Sequence, residues 1–385
     1  MIPYIHGTGT HNQGAELMAA AIAQRVLRWP QTRALLVDQK FGPPQERRKY
    51  GLESFIDTPP LFKRAGLFYR GLNPFARQSF RLFTPEDVTL IFDASGFAYS
   101  DQWGPYASEA LLERVQQASA RNVKTILLPQ ALGPFTDKQV REPAAKALQE
   151  CSLVYARDKQ SLAHLHELAG ERDTFKLAPD FTSLLAPLQD TRASEHRWDA
   201  AVVPNQRMVD KTGIGNLYTA ELVRLLKHLC GKHRRVAIIL HSRDDRALVE
   251  HLKDQAGPQA ATITESDPLR LKGILRQCGL VIGSRFHALQ SALCQGVPTI
   301  GIGWSHKYQE MFADYHCGHY LIPADEAGIR TLLTQTEQLI QPAETERIRK
   351  LLAERSRLLR GQSIAMWEEI ENHLGVSHPE PSAET

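Results

Sequence analysis

The sequence predicts two doubly wound α/β domains, each a parallel sheet covered by helices on both faces, set opposite each other across a cleft. Three observations predict this. Short apolar runs alternate with helix-like segments, the pattern of a buried parallel sheet with crossover helices. The alternation stops at residues 182–198, a stretch with Pro187, mixed polar residues and little periodicity, and then starts afresh. The length, 385 residues, also fits two domains better than one.

In the first half, apolar runs at 2–5, 34–37, 88–92, 124–128, 153–155 and 175–177 read as strands. Segments 14–27, 106–120, 138–150 and 159–168 read as helices, the last opened by Asp158 as its N-cap. Residues 39–85, with Pro43-Pro44, Pro59-Pro60 and several aromatics, read as an irregular insertion. In the second half, strands are expected at 200–203, 236–240, 280–283 and 299–303, and helices at 216–230, 245–255, 268–277 and 287–295. The expected domains are 1–185 and 196–340, followed by a helical tail (341–374) packing back across the junction and a disordered end (375–385).

Composition narrows the function. The net charge of +3 comes from basic residues that are not gathered into one tract, so bulk charge makes no case for nucleic acid. Cys151, Cys230, Cys278, Cys294 and Cys317 form no CxxC pair and no metal-like spacing, and read as free thiols in a reducing compartment. The N-terminus has no signal-peptide pattern and no stretch approaches a membrane span, so a cytoplasmic protein is expected, with any membrane link peripheral at the inner face. No metal and no resident cofactor are expected.

The chemistry gathers at predicted strand ends, the edge where ligands sit in open α/β sheets. After the run 279–282 comes Gly283-Ser284-Arg285-Phe286-His287-Ala288. Arg285 can fork onto a carboxylate or phosphate, and His287, two residues on, titrates near neutrality. The same edge collects Pro204-Asn205-Gln206-Arg207, His241-Ser242-Arg243-Asp244-Asp245 and Trp304-Ser305-His306-Lys307. Several convergent cations repel unless an anion joins them, so this half is expected to bind a small polyanion.

In the first half, the opening strand runs into His6-Gly7-Thr8-Gly9-Thr10-His11-Asn12-Gln13-Gly14-Ala15-Glu16, a glycine-rich turn that lets backbone approach a ligand. It is neither a GxGxxG fingerprint nor a P-loop. The loop from Asp93 through Gly96 and Asp101 to Gly104 crowds carboxylates, glycines and aromatics together, a composition suited to sugar hydroxyls and rings, or to Asx turns that only satisfy loop amides. Arg157 is either an anion ligand or half of an ion pair.

These residues make the chain resemble the polysaccharide pyruvyl transferase family over residues 5–310 or so. The matched pieces are Asn12 to Glu16, Asp93 to Gly96 with Asp101 and Gly104, and Pro129-Gln130 with Gly133-Pro134-Phe135. Further on come Ala156-Arg157-Asp158 with Ser161, Ala178-Pro179-Asp180, Pro204-Asn205 with Arg207, His241, and Ser284 to Ala288 with Lys307. Each is weak alone; their order and spacing are specific. Many members carry Gly-Asp-Glu where this chain has Gly14-Ala15-Glu16.

The resemblance implies a GT-B-like pair of Rossmann-like domains and transfer of pyruvate from phosphoenolpyruvate, a donor substrate rather than a cofactor, onto a sugar as a ketal. It implies that Arg285 and His287 contact phosphoenolpyruvate; Ser284, Lys307, Arg207, Asn205 and Arg157, from predicted strand ends, are expected as further donor contacts. The acceptor contacts would be Asn12, Gly14, Glu16, Asp93 and Gly96. His287 is the first choice for the proton shuttle, Asp101 a candidate base for the acceptor hydroxyl, and His241 is able to trade roles with His287. Two other functions fit the same sequence: a GT-B glycosyltransferase using a nucleotide sugar, and a non-catalytic glycan- or anion-binding scaffold.

Overall fold

The computed structural model describes residues 1–55, 79–188 and 198–376. Most of the expected linker, the middle of the expected insertion and all but the start of the expected disordered end lie outside the described residues.

Two wholly parallel sheets form. The first contains β1 (Pro3–His6), β2 (Leu35–Val37), β3 (Leu52–Ser54), β4 (Leu90–Asp93), β5 (Lys124–Gln130), β6 (Leu153–Ala156) and β7 (Phe175–Leu177), in the order β3-β2-β1-β4-β5-β6-β7. The second contains β8 (Ala200–Val203), β9 (Val236–Ile239), β10 (Ala260–Ile263), β11 (Val281–Gly283), β12 (Thr299–Gly303) and β13 (Leu321–Pro323), in the order β10-β9-β8-β11-β12-β13. In both, the chain builds outward in one direction and then returns to build the other way. The strand order therefore reverses between β1 and β4, and between β8 and β11, and such a reversal opens a crevice at the strands' carboxyl ends.

The apolar runs are explained by burial on both faces. In β8, Ala200 and Val202 join one core cluster while Ala201 and Val203 join another. β9 divides the same way, Val236 and Ile238 against Ala237 and Ile239. With both faces dry, no polar alternation survives in the sequence. Local signals set the helices. Asp158 caps Lys159–Ala169 by accepting from Ser161 N–H at 2.7 Å, and the helix ends at Gly170, whose φ of +77° suits glycine. Asp267, with Pro268 in the first helical position, does the same for Pro268–Arg276.

The chain divides into two compact units, and the division does not follow the sequence simply. The first unit comprises residues 1–10, 18–180 and 365–385; the second comprises 11–17 and 181–364. The first turn of helix Gln13–Val26 thus belongs with the second sheet, and helix Pro342–Leu374 is split at Ile364. In the first unit, the end of that last helix is anchored through Glu371, which accepts from Arg25 Nε and Nη2 (both 2.5 Å) and from Trp29 Nε1 (2.8 Å). No described helix is long and apolar enough to cross a membrane.

Candidate functional site

The second unit assembles a polar cluster at its β8/β11 reversal. Asn205, just past β8, starts the short helix Gln206–Asp210: its side-chain oxygen accepts from Arg207 N–H at 3.0 Å. Its Nδ2 donates to the Ser284 carbonyl (2.9 Å), just past β11, which also accepts from Tyr308 Oη (2.8 Å). The Tyr218 hydroxyl lies 3.1 Å from Ser284 Oγ and accepts from Asn205 N–H at 3.2 Å. Asn205 and Ser284, expected as donor contacts, are thus both buried and knit the two strand ends together.

Arg285 stands on this floor. Its Nε donates to Asp245 Oδ2 at 2.8 Å and its Nη2 to Asp245 Oδ1. Asp245 is fully buried and also accepts from Gln206 N–H at 2.8 Å. The repulsion expected among convergent cations is thus relieved at Arg285 by an internal carboxylate, Asp245. A bidentate pair fixes the guanidinium plane and uses two of its five N–H groups.

His287 lies in the first turn of Phe286–Leu293, its ring edge-on to Phe286 with centroids 5.2 Å apart. It packs onto the backbone of Gly14: a Cβ at that position would fall 2.1 Å from His287 Nδ1. The segment 11–17 is secured by a backbone bridge between Asn12 and Ser242 and by Gln13 Nε2 donating to the Glu265 carbonyl at 2.5 Å. Asn12, Gly14 and the buried Glu16, expected among the acceptor contacts of an N-terminal domain, therefore sit in the second unit, with Gly14 directly against His287. The Gly14 backbone approaches an imidazole of its own chain.

His241, past β9, is buried, and its Nδ1 has no hydrogen-bond partner among the described residues. Burial first, then the positive fields of Arg285 and His287, push its pKa down to about 3, so it is neutral near pH 7. Lys307 places its Nζ 5.7 Å from the Phe286 ring centroid and 5.5 Å from that of Tyr308. Arg207 is exposed.

The first unit gives several expected residues other tasks. Asp93, fully buried, accepts from Tyr99 Oη (2.7 Å), Arg114 Nη1 (2.9 Å) and Ser95 N–H (3.1 Å). Burial alone would raise its pKa; His6, Arg114 and the bonds from Tyr99 and Ser95 outweigh it and hold it below the usual carboxylate range. Its contact with Ser95 is the Asx turn the loop composition allowed. Gly96, at φ +74°, packs near Met18. Asp101 accepts from Thr136 N–H (2.8 Å), Thr136 Oγ1 (2.5 Å) and Asp137 N–H (3.2 Å), which together outweigh its burial and lower its pKa. It clamps a loop, an arrangement poorly suited to a general base. Arg157 pairs with Asp180 at 3.5 Å, both buried, in the first unit and not with Arg285.

Several polar residues that shape the two sites were missed in the sequence. Asp245 closes the run His241-Ser242-Arg243-Asp244-Asp245, and only the fold brings it to Arg285. Tyr218 and Tyr308 sit inside apolar helical patterns. His6 pairs in register with Asp93 across the β1/β4 reversal, and burial pulls its pKa down against the pull of Asp93. Its position at the end of the first strand was the available signal.

The sequence matches the polysaccharide pyruvyl transferase family over residues 14–306. The chain belongs to that family. Among curated proteins none matches it. Solved structures share its fold. A putative UDP-N-acetylglucosamine 2-epimerase from Listeria monocytogenes aligns with a TM-score of 0.63 at 12% identity, over 98% of this chain and 97% of its own. Anabaena HepE, solved with UDP and glucose, gives 0.60 at 12% identity over 98% and 99%. A Rickettsia africae glycosyltransferase gives 0.56 at 11% identity over 98% and 99%. This pyruvyl transferase family member therefore has the GT-B-like pair of parallel-sheet domains expected of it.

Proposed function

We propose that this family member transfers the pyruvyl group of phosphoenolpyruvate to a sugar of a cell-surface polysaccharide or its precursor, forming a cyclic ketal and releasing phosphate. The observation that carries the reading is Arg285, oriented by Asp245, two residues from a half-buried His287 at the β8/β11 reversal.

The N–H groups of Arg285 not taken by Asp245 face an anionic carboxylate or phosphate of the donor, with Lys307 and Arg207 adding positive charge. A proton added to the methylene carbon leaves positive character on the neighbouring carbon. A sugar hydroxyl bonds there and loses its proton; the C–O bond to phosphate breaks, and phosphate carries away that electron pair. A second hydroxyl of the same sugar then bonds to that carbon, loses its proton and closes the ring. His287 carries the proton, because His241, with its pKa near 3, is almost wholly unprotonated at neutral pH.

The test is incubation of the purified chain with phosphoenolpyruvate and a panel of saccharide acceptors, read by phosphate release and product mass. Arg285→Ala is expected to abolish turnover, and His287→Ala to lower it by about 10²–10⁴-fold, the usual worth of one proton-transfer group. Near-normal turnover of folded Arg285→Ala would remove the donor-anchor role. A second reading, a nucleotide-sugar glycosyltransferase, is favoured by fold neighbours whose structures hold UDP. Release of free nucleoside diphosphate in place of phosphate would select it.

A further inference from the structure

The loop after β4 holds two large aromatic rings out in water on a rigid mount. Trp103 is 41% exposed and Tyr106, in the first turn of helix Pro105–Ser119, is 81% exposed. Trp103 is braced edge-on by Phe97, with ring centroids 6.2 Å apart and planes at 80°. The turn Asp101–Trp103 is tied down at both ends. Asp101 N–H donates to the Pro134 carbonyl (3.0 Å), Trp103 N–H to the Ser100 carbonyl (3.1 Å) and Gly104 N–H to the Asp101 carbonyl (3.3 Å). The Asp101 carboxylate meanwhile takes its three bonds from Thr136 and Asp137. Gly104, at φ +72°, turns the chain so that Pro105 opens the helix. Isolated exposed apolar residues are ordinary; two rings within four residues, on a turn fixed by this many bonds, are a preorganised surface.

We propose that Trp103 and Tyr106 form a stacking platform for pyranose rings of an acceptor glycan. This rests on the reading that the acceptor is a saccharide. The platform follows the carboxyl end of β4 at the reversal of the first sheet, the edge where such folds take ligands. Aromatic faces offer large contact area at low conformational cost, and sugar rings present C–H faces with hydroxyls at the rim. The exposed Gln102 supplies an amide donor and acceptor beside Trp103. Residues 94–113 contain Asp101, Glu109 and Glu113 and no Lys or Arg. The basic residues nearest this stretch are Arg114, which pairs with Asp93, and Lys138, beside the Asp137 that binds Asp101, so the acidic stretch itself offers no binding charge to anionic headgroups.

The test compares the full chain with Trp103→Ala, Tyr106→Ala, the double variant and Trp103→Phe on an array of bacterial surface oligosaccharides, with thermal unfolding as the fold control. The wild type is expected to retain at least one oligosaccharide. The double variant should bind it about tenfold more weakly or worse, as for truncation of an exposed aromatic anchor, while Trp103→Phe keeps most of the binding. Four outcomes overturn the platform: wild-type binding to no glycan, equal binding by the variants, ring-dependent sedimentation with phosphatidylcholine–phosphatidylserine vesicles, or ring-dependent dimerisation. Ring-dependent glycan binding without phosphate release from phosphoenolpyruvate would remove pyruvyl transfer alone. Normal turnover with unchanged acceptor KM in the double variant is a fifth outcome that would overturn the platform, and it would leave pyruvyl transfer standing.

Discussion

At the scale of single residues, the second unit is organised by how it disposes of charge. Arg285 keeps its positive charge in a nearly buried position because Asp245 neutralises it, and Asp245 is itself held by the Gln206 N–H. His241 takes the other course: buried near Arg285 and His287, it gives up its proton. That choice has a signature in stability. An imidazole with a pKa near 6.5 in the unfolded chain and about 3 in the fold binds a proton only in the unfolded chain between those values. Its neutral form therefore contributes stability that is complete above about pH 6.5 and is lost as pH falls toward about 3. Within that window the slope approaches about 1.4 kcal/mol per pH unit. His241→Gln is expected to flatten the fall in unfolding free energy between pH 6.5 and 4, measured by urea titration at each pH. Parallel curves for variant and wild type would show that His241 ionises alike in both states.

At the scale of elements, burial decides what could be read. The strands found in the sequence include every inner strand, each centred on buried apolar residues. The three that were missed, β3, β10 and β13, are all sheet edges, three or four residues long and partly exposed, so the apolar stretch each leaves is short or interrupted. The helix that opens at Gln13 was also legible, but its loyalty was not. Its first turn packs with the second unit through Asn12, Gln13 and Gly14, contacts of long sequence separation that no local pattern encodes. Gly14→Ala sets two effects against each other. Alanine is the better helix former by about 1 kcal/mol. The added methyl, however, would lie 2.1 Å from His287 Nδ1, and that clash forces the ring or the turn to move. The contact is expected to win: Gly14→Ala should lower kcat toward the level of His287→Ala while the second unit, which holds both residues, stays folded by thermal unfolding. A variant with undiminished kcat would show that His287 needs no support from this turn.

At the scale of the whole molecule, the chain's order in sequence and its order in space disagree at one consequential place. The sequence alone places residues 1–185 in one domain and the turn at Asn12 to Glu16 with the carbohydrate. The fold returns residues 11–17 to the unit that holds Arg285, His287 and His241, while residues 1–10 and the Asp93 loop stay in the other. Donor binding should therefore protect segments that are remote in sequence. With phosphoenolpyruvate added, amide hydrogen exchange is expected to slow at 11–17 together with 204–207, 241–245 and 284–288, because ligand binding suppresses the local openings that expose those amides. Residues 2–6 and 94–104 should exchange as before. Protection of 94–104 with no change at 11–17 would put the donor on the first sheet instead. The first-turn residues would then return to the role the sequence alone suggested, and the contact between Gly14 and His287 would be packing without a part in donor binding.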